Sequence, residues 1–139
     1  IIDINELTNS LVEIKDNFIK TSLNIEIIHM MINKLMADDK YFSSLPKEHI
    51  YEKLYIELRF ICLKTEIVQN LKKILLKYQI SLDNTLCGKY VRNYKNLHEN
   101  NIFIKSQKIL NGHNINEIFL TNRIERNKGF FEKFFGLFK

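Results

Sequence analysis

Residues 7–35, LTNSLVEIKDNFIKTSLNIEIIHMMINKL, decide how this chain is read. Leu7, Leu11, Ile14, Phe18, Thr21, Ile25, Ile28, Ile32 and Leu35 fall in alternating steps of four and three, the stepping of a heptad seam. A seam sustained this far predicts one helix of about 30 residues, some 45 Å long. It should stop around Ala37-Asp38-Asp39. The stretch Ser43-Ser44-Leu45-Pro46 then predicts a connection, with Ser44 as cap and Pro46 in the first turn of the next helix.

That second helix is expected from Pro46 to Tyr78, and it carries two apolar stripes. Ile50, Leu54, Leu58, Ile61, Thr65, Val68, Leu71, Leu75 and Tyr78 make the first; Ile56, Phe60, Leu63, Ile67 and Ile74 make the second. Arg59, Glu66 and Lys73 mark a narrow solvent face, and Glu57 is expected at the stripe's boundary, reaching water. A helix apolar over so much of its circumference must be covered on two sides. The two long segments therefore predict an all-α fold, a bundle of four to six helices built on a long antiparallel helix hairpin, with residues 1–139 as a single helical domain.

Composition points the same way. The 139 residues are 45% hydrophobic and 27% charged, with one proline, four glycines and no tryptophan. So little turn chemistry argues against a β-sandwich or barrel, and the apolar content argues against disorder. Cys62 and Cys87 lack a pairing pattern and are expected as buried thiols in a reducing compartment, cytoplasmic or similar. His29, His49, His98 and His113 are scattered, and none forms an i, i+4 pair with another His or a Cys, so no metal and no cofactor is expected. No apolar run approaches the length of a membrane span.

The charge is unevenly placed. Residues 1–71 hold eight Lys/Arg and eleven Asp/Glu, whereas 72–139 hold thirteen and five. An anionic partner, if there is one, belongs to the second half. There, after a turn at Ser81-Leu82-Asp83-Asn84, residues 85–97 predict an amphipathic helix with Leu86, Tyr90, Val91, Tyr94 and Leu97 inward and Lys89, Arg92 and Lys95 outward. Those three cations form a candidate anion-binding stripe. Ile102–Leu110, between two turns, could be helix or strand, with Ile102, Phe103, Gln107 and Leu110 favouring a helical period, and Asn114 is expected to cap another helix through about Asn127.

The C-terminal segment, 128–139, concentrates Phe130, Phe131, Phe134, Phe135 and Phe138, half of the chain's ten phenylalanines, on one helical face, with Lys128, Lys133 and Lys139 beside them. Three uses are open: a closing helix docked on the bundle, a knob for a protein partner, or an amphipathic segment on a membrane surface.

One stretch suggests chemistry. Arg92-Asn93-Tyr94-Lys95-Asn96-Leu97-His98 places a histidine six positions after an arginine that is followed by Asn, near the end of the third helix of a chain read as all-α. In this the sequence resembles the HEPN superfamily of small, often dimeric and often RNA-cleaving helical bundles. The resemblance implies His98 as general acid or base at a ribose 2′-hydroxyl, Arg92 as the cation on the scissile phosphate, and Asn93 as the residue orienting both. An imidazole and a guanidinium suit those roles and need no metal. Six residues of α-helix turn through about 600°, so Arg92 and His98 converge only if the helix breaks near Leu97 or the site forms across a dimer.

The reading that results is a non-enzymatic interaction or assembly module. It would bind a protein partner or a second copy through the second helix or the Phe-rich tail. A HEPN-like metal-independent ribonuclease or toxin acting on RNA, and a peripheral membrane module, are the alternatives.

Overall fold

A computed structural model describes residues 4–44, 51–95 and 98–118. The element order is α1 (Ile4–Thr21), β1 (Ile25–Ala37), β2 (Lys40–Phe42), β3 (Leu54–Lys64), α2 (Thr65–Leu76), α3 (Gly88–Asn93) and α4 (Ile102–Leu110). The fold is α+β. The expected all-α bundle is overturned, because both long segments read as one hairpin of helices contain strands of a three-stranded antiparallel sheet of order β2-β1-β3.

The heptad seam breaks at Thr21. The Thr21 hydroxyl donates back to the Asn17 and Phe18 carbonyls, and Asn24 takes a left-handed φ of 61°, a conformation Asn tolerates better than most residues. The chain then turns into β1, whose Ile-rich run suits a pleated strand. Ile27 through Ile32 are all buried, so β1 is the central strand covered on both faces. A strand buried this way reads as a continuous apolar run rather than an alternation, and its periodicity cannot be told from that of a buried helix. Its register with β3 slips between Ile27 and His29 and again between Ile32 and Lys34.

Ala37-Asp38-Asp39 ends β1 as a hairpin rather than a helix. Ala37 pairs with Lys40, and the two residues between them both have positive φ, 45° and 65°, which is the backbone of a two-residue turn of the primed kind. Asp38 Oδ1 also accepts the backbone N–H groups of Glu52 and Lys53, at 3.1 and 2.9 Å, tying the turn to the start of β3.

The two stripes expected on one helix from Pro46 to Tyr78 are instead a strand followed by a helix. In β3 the even residues Leu54, Ile56, Leu58, Phe60 and Cys62 pack with Leu11, Ile27, Met30, Ile32, Leu35 and Ile118 into the main core, which α1 closes with Leu7, Val12 and Phe18. Phe18 stacks on Phe60 at 4.2 Å between ring centroids. Full burial of Leu11, Met30 and Leu35 contributes roughly 2 kcal/mol each. The odd residues of β3, among them Arg59 and Ile61, face the opposite side of the sheet. Pro46 lies outside the described residues.

A second, smaller cluster joins α3 and α4 through Val91 and Ile109, with Leu86, Tyr90, Tyr94, Ile102 and Leu110 around them. Ile102–Leu110 is helical, the form its apolar period favours. Asn101 caps it by accepting the N–H groups of Phe103 and Ile104. Gly112, at φ 83°, ends it, with its own N–H on the Ile109 carbonyl and that of His113 on Lys108. The expected helix 85–97 is only the six residues Gly88–Asn93. Asn114 opens a turn rather than a helix, its Oδ1 accepting the Asn116 N–H, and the remainder of the helix expected to Asn127 lies outside the described residues.

Candidate functional site

The sheet face opposite α1 carries a fully enclosed polar pair. His29, inside the apolar run of β1, is fully buried, and so is Glu117. The His29 Nε2 accepts the backbone N–H of Cys87 at 2.9 Å, so the ring proton sits on Nδ1, which donates to Glu117 Oε2 at 3.0 Å. The other carboxylate oxygen, Oε1, accepts the Met30 N–H at 3.3 Å. Around this pair the 114–118 segment runs beside β1. Ile118 N–H donates to the Met30 carbonyl at 2.8 Å, Ile32 N–H to the Asn116 carbonyl at 2.9 Å, and Met31 bridges Glu117. Tyr90 of α3 sets its ring against His29 at 4.6 Å and receives a hydrogen bond from Asn114 Nδ2 on its hydroxyl. One imidazole therefore ties β1, the entry to α3 and the 114–118 segment together.

Neither His29 nor Glu117 was singled out by spacing, since 88 residues separate them. The available signal was composition, and for His29 alone: a histidine within the apolar run Ile25–Leu35 is a polar group that needs a partner, whereas Glu117 follows Asn116 in a mixed stretch that does not mark it.

The candidate catalytic residues do come together, though not as expected. α3 ends at Asn93, with Tyr94 extended (φ −70°, ψ 107°), four residues before the break that the helical reading required. Arg92, Asn93 and His98 line one open hollow of about 410 Å³ with Lys95, Glu99 and Lys105. Lys105 Nζ donates to the Arg92 carbonyl at 3.0 Å and so braces the end of α3. The resemblance to the HEPN superfamily is overturned by the antiparallel sheet, and the catalytic roles it implied for Arg92, Asn93 and His98 lose that support.

The expected cation stripe is divided. Lys89 and Lys95 line a larger cavity of about 480 Å³ between the sheet and α3, together with Arg59, Asn93, Tyr94 and Asn116, whereas Arg92 lines only the smaller hollow. Among the described residues no group of His, Cys, Asp and Glu could hold a metal ion. Cys62, half-buried under α1, has its thiol pKa pushed up by burial, and Cys87 lies far from it in the sequence; both are free thiols.

Two surfaces remain without partners among the described residues. β1 occupies one side of β3, and nothing pairs with the eleven-residue outer edge of β3. α2, which follows β3 without a break, exposes Ile67, Leu71 and Ile74 at 52%, 39% and 53%, on one helical face. No helix among the described residues is long and apolar enough to cross a membrane. Phe130, Phe131, Phe134, Phe135 and Phe138 lie outside the described residues. No known protein family, curated protein or solved structure matches the chain.

Proposed function

We propose that this chain is an assembly module that pairs through the outer edge of β3 with the same edge of a second copy. The observation that carries this reading is the edge itself, eleven residues long, central to the fold and unpaired among the described residues. Long bare edges recruit strands unless they are blocked by proline, bulges or covering segments. β3 has no proline, and its apolar even-numbered row is continuous.

The sequence of β3 is complementary to itself. In an antiparallel pairing centred on Leu58, Ile56 faces Phe60 and Leu54 faces Cys62, so the apolar row that packs under α1 continues into the partner. On the other side Glu57 faces Arg59, and at the end of the even-numbered row, just beyond the strand's start, Glu52 faces Lys64. A twofold interface requires this kind of self-matching, and opposite charges directly across a strand pair favour the register. The exposed Ile67, Leu71 and Ile74 add apolar surface on α2, the helix that follows this strand directly.

Sedimentation equilibrium over a concentration series tests the reading. The chain should dimerise; Arg59→Glu should weaken the dimer at least tenfold by setting two carboxylates opposite each other, and Glu57→Arg with Arg59→Glu should restore it. A chain that stays monomeric at hundreds of micromolar, or a double variant no better than the single one, overturns it.

A second reading adds to the first. The spacing of the five tail phenylalanines beside Lys128, Lys133 and Lys139 supports attachment to an anionic membrane surface. A short segment of this kind binds weakly alone and gains avidity in an assembly. The whole chain should co-sediment with vesicles rich in anionic lipid, and Phe134→Ser with Phe135→Ser should abolish this.

A further inference from the structure

We infer that the cavity between the sheet and α3 is a binding site for a nucleoside monophosphate. Its volume, about 480 Å³, lies within the roughly 300–1,000 Å³ typical of small-molecule sites. Three cations reach it from two elements and the α3 exit: Arg59 from β3, Lys89 from α3, and Lys95 just beyond α3. No carboxylate lines it, and among the described residues none is paired with any of the three cations. Concave basic walls of this sort concentrate anions, and a guanidinium with two ammonium groups matches the several oxygens of a phosphate.

The rest of the lining selects more than a bare anion. The phenol rings of Tyr90 and Tyr94 supply flat apolar surface for a base. Asn93 offers a carboxamide at the α3 end. At the other side Asn116 donates its Nδ2 to the Ser43 carbonyl, while its Oδ1 is buried with no hydrogen-bond partner among the described residues. A phosphate at one end and hydrogen-bond donors on a flat body at the other describe a nucleotide.

Arg59 is shared with the proposed strand pairing, where it faces Glu57 of the second copy, so the test of the cavity uses Lys89 and Lys95, away from the β3 edge. Isothermal titration of the whole chain with AMP, GMP, CMP and UMP should show saturable binding of at least one, and adenosine and inorganic phosphate should each bind at least tenfold more weakly. Lys89 and Lys95 are exposed, so Lys89→Glu with Lys95→Glu should leave the circular dichroism unchanged while weakening the nucleotide at least tenfold. Absence of saturable nucleotide binding overturns the inference. So does binding indifferent to the lysine exchange, or inorganic phosphate that binds as tightly as the nucleotide.

Discussion

His29 Nδ1 donates to Glu117 Oε2 at 3.0 Å with both side chains fully buried, and this bond joins the central strand to a segment 88 residues later. Its partners fix each atom: backbone N–H groups of Cys87 and Met30 occupy His29 Nε2 and Glu117 Oε1. Removing the imidazole leaves a carboxylate buried without its donor. His29→Ala should therefore lower unfolding stability by about 3–5 kcal/mol in urea titration. Glu117→Gln should cost less, about 1–3 kcal/mol, because an acceptor for Nδ1 remains while an amide N–H₂ meets the Met30 N–H. Equal, small losses in both would show that the pair carries little.

The β1–β2 turn offers a gain as well as a loss. Asp39 holds φ 65° without a glycine, and Asp39→Gly should raise stability by about 0.5–1 kcal/mol. Asp38→Ala removes the acceptor for the Glu52 and Lys53 N–H groups and should cost about 1–2 kcal/mol. Denaturation midpoints at constant slope read both.

Asn101 caps α4, which holds up the smaller of the two apolar clusters. Asn101→Ala should cost about 1 kcal/mol. Hydrogen exchange should place that loss in α3 and α4, with β1 and β3 unaffected if the two clusters open separately.

Two groups give opposite pH signatures. The Asn33 amide donates to the Glu57 carboxylate, and this bond, helped by Lys34, holds its pKa below the usual carboxylate value despite some desolvation. A carboxylate pKa lowered on folding adds stability that is present above the unfolded value and lost as pH falls through the folded one. Glu57→Gln should flatten that part of the acid limb. Burial raises the Cys62 thiol, so its alkylation should follow a pH profile displaced upward from a free thiol, since only the thiolate reacts. A profile at the free-thiol position would show Cys62 open to water.

How much of this was legible in the sequence follows from where its signals are ambiguous. α4 was half legible: the turns at His98–Asn101 and Asn111–Asn114 set its bounds, and its apolar period favoured helix over strand without deciding it, the Asn101 cap being visible only in the structure. β1 did not, since a strand buried on both faces shows no alternation, and its apolar residues continued the four-three stepping of α1 across Thr21. β3 did alternate from Leu54 to Cys62, but Ile61, Leu63 and the apolar residues of α2 completed helical stripes through it. The scarcity of glycine misled for a physical reason: the β1–β2 hairpin turn is made by two aspartates and needs no glycine. For the candidate site, the sequence singles out Lys89 and Lys95 as cations of the basic half, but Arg59 comes beside them only through the antiparallel pairing of β3, and His29 meets Glu117 only through the return of residues 114–118.

The central claim, that the outer edge of β3 is where copies of this chain join, is tested most directly by residue-resolved amide hydrogen exchange of the whole chain at low and high protein concentration. The N–H groups of β3 that point toward β1 should be protected at both. Those that point outward should exchange quickly when dilute and slow by at least tenfold when concentrated. Outward amides that exchange quickly at every concentration, or that are already protected when dilute, would contradict the account.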